Sequence, residues 1–203
     1  MKKMMWAVAA AALMAATVGH AQESRQEFSL SAFETLAPPV YGNGVAPMTM
    51  THTTGFLGSY RYMLTPRSEL ELNYTFAQNS IRYRTQSVPL AVIHDRQQEI
   101  SGAYVYTRNY GNYNPFVEVG TGGMIFSPIR DYGTNYGPTK QNTNIGMLFG
   151  GGLAYEISPS FDIRVTYRGF LVKAPDFGLS SSGLKSNRYF VLSEPTLGVA
   201  YHF

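Results

Sequence analysis

Through most of the chain, apolar residues return at every second position. The clearest run starts at Phe161, where Phe161, Ile163, Val165 and Tyr167 alternate with Asp162, Arg164, Thr166 and Arg168. A period of two puts successive side chains on opposite faces of an extended strand. The same alternation predicts strands at about Glu27–Leu36, Thr54–Leu64, Glu69–Arg82, Gln97–Thr107, Pro115–Phe126, Asn144–Ile157, Phe161–Phe170 and Arg188–Phe203. In each, one face carries Phe, Tyr, Leu, Ile and Val, and the other carries Glu, Arg, Ser, Thr and Gly.

The connections alternate as strictly as the faces. Thr65–Ser68, Arg108–Asn114 and Ser158–Ser160 are short, whereas Ala37–Thr53, Tyr83–Arg96, Ser127–Thr143 and Leu171–Asn187 are long and polar. Antiparallel neighbours place alternate connections at opposite ends, so one end has tight turns and the other has loops. The last strand ends in Leu197–Gly198–Val199–Ala200–Tyr201–His202–Phe203, with Leu197, Val199, Tyr201 and Phe203 on one face. An open edge of that kind invites aggregation in water. It is accounted for if the strand closes a barrel with lipid outside and a polar interior. The predicted fold is therefore all-β: an eight-stranded antiparallel up-and-down transmembrane β-barrel in a bacterial outer membrane.

The N-terminus supports export. Lys2 and Lys3 precede an apolar stretch from Met4 to Val18, and Gly19–His20–Ala21 offers small residues ahead of Gln22. That order predicts a cleavable signal peptide over 1–21, cut between Ala21 and Gln22, with the barrel over 22–203. The alternative, a retained membrane helix, is opposed by the shortness of the apolar stretch. Removing 1–21 takes away two lysines and no acid. The 16 basic and 13 acidic residues become 14 and 13, so the net charge falls from +3 to +1. The basic balance is then no sign of a nucleic-acid partner.

The chain has 15 Tyr, 12 Phe and 20 Gly, no Cys, and 14% charged residues, which suits many short strands and excludes disulfides and thiol chemistry. Gly120–Gly122–Gly123 and Gly150–Gly151–Gly152 fall inside predicted strands. They lack the strand-to-helix setting of a phosphate-binding loop. A soluble ligand-binding barrel of the lipocalin kind has the same alternation with the faces exchanged. It is disfavoured because its pocket would have to hold the charged face, and because the one Trp, Trp6, lies in the signal segment.

Gly150–Ile157 with Phe161–Arg168, Pro115–Gly120 and the terminal Val199–Phe203 resemble the hairpins of the OmpA/OmpX-like outer-membrane barrel family. The resemblance covers the mature chain and implies the barrel part alone. It also implies that the barrel-assembly machinery reads the last strand, with Tyr201 and Phe203 as the assembly signal. Pro195 departs from the pattern, because it cannot donate in a sheet ladder; a bulge or a shortened last strand is expected there.

Chemistry is sparse. His20 is removed, His52 and His94 lie near loops, and His202 sits at the short-turn rim, with no metal-ligand spacing and no implied cofactor. His52 or His94 near Ser80 or Asp95 leaves a lipid-modifying enzyme open, but no motif supports one and no catalytic residue is assigned. The expected role is surface-structural. Long loops bearing Tyr41, Tyr132, Tyr136 and Phe177 would face lipopolysaccharide or an extracellular ligand, and a narrow channel is the alternative. Outward, Tyr62, Leu70, Tyr106, Ile157, Phe161, Tyr201 and Phe203 should ring the short-turn end, with Val119, Leu153, Ile163, Val165 and Val199 at mid-membrane.

Inward, the parity of the strands collects Arg61, Glu71, Glu99, Glu118, Glu156, Arg164, Arg168 and Glu194 on the lumenal face. A tight turn at Ser158–Ser160 would set Ile157 across from Phe161, and Glu156 across from Asp162 and diagonal to Arg164. Glu194 would approach Arg168. Charges in a narrow lumen need partners, so a lumenal ion network is expected, against independently hydrated side chains.

Overall fold

The computed structural model describes residues 25–42, 45–84, 91–131, 138–178 and 185–203, with the backbone only at 45 and 46. The segment expected as a signal peptide, with Ala21 and Gln22, and the residues Tyr132 and Tyr136 lie outside these. Among the described residues ten strands follow one another: β1 (Gln26–Thr35), β2 (Val40–Gly42), β3 (Val45–Met50), β4 (Thr53–Thr65), β5 (Ser68–Tyr83), β6 (Ala91–Thr107), β7 (Tyr113–Pro128), β8 (Asn142–Ser158), β9 (Phe161–Lys173) and β10 (Tyr189–His202). Eight of them close an antiparallel ring, β4-β1-β10-β9-β8-β7-β6-β5, and β5 pairs back to β4. The seam joins the first and last strands, from Glu27 opposite His202 to Phe33 opposite Thr196.

The eight predicted strands correspond to the eight ring strands. Four details differ. The stretch expected as a loop at 37–53 contains the hairpin β2–β3, whose second strand pairs with β5 beyond the end of β4. Strand β6 begins at Ala91 rather than near Gln97, because the β5–β6 ladder continues to Tyr83 opposite Ala91.

The turn after β8 is irregular. Glu156 does face Asp162, but a register shift then sets Ser158, not Ile157, across from Phe161. Pro195 neither bulges nor shortens β10, which pairs continuously with β9 through Pro195 opposite Tyr167. Its missing N–H falls where the seam ladder is interrupted, between Phe33–Thr196 and the bridge Leu36–Ser193. The bonded pairs on either side, Leu36 with Ser193 and Gln26 with Phe203, share one register, so Pro195 stands at a bonding position and its missing N–H leaves a gap in the ladder to β1 without breaking the register.

The ring is turned inside out relative to a water-soluble barrel. Leu72, Val165 and Leu197 point outward at 58, 56 and 59% exposure, whereas Arg168, Glu99 and Glu194 are buried inside at 1% or less. The expected rim residues Tyr62, Leu70, Ile157, Phe161 and Phe203 are exposed on the outer face, with Tyr106 and Tyr201 half-buried there. Phe161, Tyr201 and Phe203 form one outward stack, with ring centroids 5.0 and 5.9 Å apart. Tyr hydroxyls tie the outer face together, Tyr104 to Ser68 at 2.7 Å and Tyr167 to Ser193 at 2.9 Å.

Inside, the two ends differ. The short-turn half is charged. The long-loop half is an apolar core that includes Ile81, Ile93, Met124, Phe126, Leu148, Phe170 and Leu192, joined by Met48 and Met50 from β3. A smaller cluster of Phe33, Leu57 and Ala77 lies beside it.

Phe177 belongs to this core. Expected on a recognition loop, it is instead fully buried, at a left-handed φ of 49° that an L-residue adopts only when held there. The Tyr83 hydroxyl donates to the Pro175 carbonyl at 3.0 Å, and the Lys140 N–H to the Phe177 carbonyl at 2.9 Å. The segment after β9 is thereby folded over the mouth. Burial of its large apolar ring outweighs the strain. Tyr41, by contrast, is 69% exposed.

Candidate functional site

The lumen holds the buried charge of the described residues, and the alternation of the eight ring strands carries it there. At the centre, Arg168 on β9 is surrounded by carboxylates from three other strands. Its Nη2 donates to Glu99 on β6 at 2.9 Å and its Nη1 to Glu194 on β10 at 3.1 Å, while Nε lies 3.6 Å from Glu118 on β7. Glycine makes room for this packing. A Cβ at Gly150 would lie 2.5 Å from the Glu118 carboxylate and 2.7 Å from the Tyr167 carbonyl.

A second group lies toward the short turns. Arg61 on β4 donates to Glu71 and reaches Glu69 at 3.5 Å and Glu27 at 4.0 Å, while Arg164 on β9 donates to Glu27 at 2.6 Å. Both guanidinium groups lie near the ring of Phe116, at 4.5 and 5.4 Å from its centroid, where the aromatic attracts each. At the rim, His202 approaches Asp162 at 2.9 Å and Glu27 at 3.8 Å.

The structure thus brings together Arg61 with Glu71, Arg164 with Glu27, and Arg168 with Glu99, Glu118 and Glu194. The expected Glu156–Arg164 pairing is corrected. Glu156 faces Asp162 and is diagonal to Arg164, as expected, but Arg164 turns across the lumen to Glu27 rather than to Glu156. Glu156 lines the mouth cavity instead. Glu27, Glu69 and Asp162 were not expected in the network. The signal for them was parity: Glu27 shares a face with Ser29 and Ser31, Glu69 with Glu71, and Asp162 with Arg164.

Of the other histidines, His52 lies 3.8 Å from Glu34 on the exterior. His94 meets Asp131 at 2.8 Å and has Ser80 opposite it in the β5–β6 register, whereas Asp95 points inward and is fully buried.

An inside-out eight-stranded ring with a charged, filled lumen defines a transmembrane β-barrel, and comparison with known proteins gives the same class. The model of the outer membrane protein beta-barrel domain family matches residues 7–203, and the chain belongs to that family. It is a protein of the bacterial outer membrane.

Neisserial surface protein A is 17% identical, with a TM-score of 0.62 over 89% of this chain and 98% of that one. OprG of Pseudomonas aeruginosa is 12% identical, with a TM-score of 0.65 over 90% and 97%. Ail of Yersinia pestis, solved with the heparin analogue sucrose octasulfate, is 16% identical, with a TM-score of 0.51 over 88% and 99%. These likenesses establish the fold. No curated protein matches the sequence significantly.

The outward apolar face is accordingly the lipid face. Val165, at the middle of β9 and 56% exposed, provides its test. Val165→Arg is expected to destabilise the barrel by about 2–4 kcal/mol, the cost of a midplane cation on a lipid-facing strand. Urea-dependent refolding into liposomes would measure it, and a cost near zero would place that face outside the lipid.

Proposed function

We propose that this protein is a non-conducting outer-membrane barrel that holds a rigid, basic extracellular surface for interaction with anionic glycans. The observation that carries the first half is the stacking of two fillings in one lumen. The ion network occupies the short-turn half. Above it, the apolar core under Phe177 fills the long-loop half, with Ile81, Phe126, Phe170 and Leu192 fully excluded from solvent. An ion entering from either side meets a closely packed, mainly apolar layer in which Asn79, Asp95 and Gln97 are themselves buried, too few groups to replace its hydration shell. Eight-stranded rings are in any case just wide enough for side chains to fill.

The second half rests on charge. At the long-loop end Arg82, Arg84, Arg96, Arg130, Lys140 and Arg188 are exposed, against the exposed acids Glu34 and Asp131 among the described residues. Arg82 and Arg84, with Tyr41, Pro47 and Thr49, line a hollow of about 410 Å³ beside β3. Arginine over a hydroxyl-rich, aromatic surface suits phosphate or sulfate groups on sugars. Lipopolysaccharide of the same membrane and sulfated glycans outside it both present them. The sulfated ligand in the Ail structure accords with that chemistry. In this reading the barrel-assembly machinery is the partner during biogenesis and recognises the strand end at Tyr201 and Phe203.

Reconstitution tests both halves. Planar bilayers holding the purified barrel should show no stepwise conductance, and vesicles holding it should be retained on immobilised anionic glycan in a salt-sensitive way. Arg82→Glu with Arg84→Glu should weaken that retention and leave the bilayers silent. Discrete conductance steps in the wild type would instead establish the narrow channel.

A further inference from the structure

At the short-turn end, the periplasmic end of such a barrel, two arginines stand side by side on neighbouring turns. Arg67 belongs to the turn between β4 and β5, and Arg108 follows β6. Their backbones are fixed. The Thr107 N–H donates to the Arg67 carbonyl at 2.9 Å, and the Arg108 N–H donates to the Pro115 carbonyl at 2.9 Å. The Arg67 N–H in turn donates to the Thr65 hydroxyl at 3.3 Å. Both side chains are exposed, outside the lumenal ion network.

With Asn109 and Tyr110 they line a hollow of about 200 Å³. Arg108 Nη1 donates to the Tyr110 hydroxyl at 3.4 Å, and the Tyr106 hydroxyl lies beside both guanidinium groups. Gly111, at a φ of 69°, turns the chain so that Tyr110 bridges Tyr113, which fixes Tyr110 at the edge of the hollow. Among the described residues no carboxylate lines it. Two guanidinium groups kept together without an acid repel each other, and an anion between them removes that repulsion. Guanidinium with hydroxyl and amide donors is a set suited to phosphate.

What lies beside the hollow selects the kind of phosphate. Tyr106 is the register partner of Ser68, and the next outward pairs of the β5–β6 ladder are Leu70 with Tyr104 and Leu72 with Gly102. Leu70, Leu72 and Tyr104 are 49, 58 and 44% exposed on the lipid face. The basic hollow therefore continues directly into an apolar strip that runs toward the middle of the membrane.

We propose that Arg67, Arg108, Asn109 and Tyr110 bind the phosphodiester of an anionic phospholipid of the inner leaflet, whose acyl chains lie along Leu70, Leu72 and Tyr104. The preference for an anionic headgroup follows from charge. An ethanolamine headgroup would bring an ammonium beside two guanidinium groups, whereas a glycerol headgroup offers hydroxyls to Asn109 and Tyr110.

The test uses the purified barrel refolded in detergent. Native mass spectrometry counts the lipids retained after addition of phosphatidylglycerol or of phosphatidylethanolamine with the same acyl chains. One phosphatidylglycerol per barrel should be held in preference. Arg67→Gln and Arg108→Gln should each weaken that retention at least about tenfold, the effect of losing one charge-assisted hydrogen bond. Together they should remove the preference. Both sites are exposed on turns, and the compact band on unboiled gels reports whether each variant has folded; if one has not, the other decides. Lys173→Gln with Lys185→Gln, at the long-loop end, removes the same charge and should behave as wild type. Calorimetry with inorganic phosphate separates the two sources of the anion. No binding is expected, because free phosphate gains nothing from the apolar strip. Equal retention of the two lipids, undiminished retention in the arginine variants, the same loss in the lysine variant, or binding of inorganic phosphate that the arginine variants abolish would each overturn the proposal.

Discussion

Arg168→Met is expected to destabilise the folded barrel by about 3–5 kcal/mol, the cost of stripping a buried ion cluster of its single cation. The side chain is 1% exposed and sits within 2.9 to 3.6 Å of Glu99, Glu194 and Glu118. Methionine fills a similar volume, so the loss is electrostatic and not a packing defect. Three carboxylates would then face one another without a counter-charge in a space closed by apolar side chains above.

A compensated variant separates this from a general intolerance of β9. Arg168→Met combined with Glu99→Gln, Glu118→Gln and Glu194→Gln removes the charge of the whole cluster and should recover most of the lost stability. Replacing an entire buried ion cluster is often close to neutral. Urea titrations of both chains in liposomes, read by the unboiled gel shift, provide the measurement. A single variant within about 1 kcal/mol of wild type would mean that water, not Arg168, solvates those carboxylates.

The ring was legible because its strands alternate, and alternation is the consequence of having two different solvents on the two faces. From Phe161 to Arg168 every odd residue meets lipid and every even one meets the lumen, so a period of two reads out directly. The alternation fails where both faces are apolar. Ile125–Phe126, Leu148–Phe149, Phe170–Leu171–Val172 and Phe190–Val191–Leu192 are such runs, and each contributes an inward residue to the core at the long-loop end. In the sequence they pass as the frayed ends of strands. In the structure they mark where the lumen changes from charged to mainly apolar.

The hairpin β2–β3 was hidden for a related reason. It pairs with β5 above the level at which β4 ends and contributes Val40, Met48 and Met50 to that core rather than to the outer face. Of the lumenal charges, Arg168 with Glu194 follows from register alone, since the two are direct partners across β9 and β10. Arg164 with Glu27 does not. Those residues are not in adjacent strands, and only a long side chain crossing a closed ring brings them together. Glu156 does stand diagonal to Arg164, and the register shift before Ser158 leaves that relation intact; what strand parity could not give is that Arg164 reaches across the lumen to Glu27 instead.

Deleting Phe203 should abolish outer-membrane assembly in the cell while leaving the chain able to fold in detergent. The residue does little for the finished barrel. Its ring is 43% exposed on the lipid side and stacks on Tyr201 at 5.9 Å, and its N–H donates to the Gln26 carbonyl at 2.9 Å. One exposed aromatic pair contributes about 0.5–1.5 kcal/mol, and one backbone hydrogen bond about 0.5–1.5 kcal/mol. A barrel refolded without them should show the same gel shift with a small loss of stability. In the periplasm, before the seam has formed, the same residue ends an unpaired strand whose outward face is Leu197, Val199, Tyr201 and Phe203. It is then an exposed edge available to a partner that pairs with strands. Phe203→Trp keeps an aromatic on that face and should assemble, whereas the deletion should leave the chain in the periplasm to be degraded. Fractionated membranes probed for the compact band decide between them. Equal outer-membrane levels of the deleted and intact chains would show that assembly does not depend on the terminal aromatic.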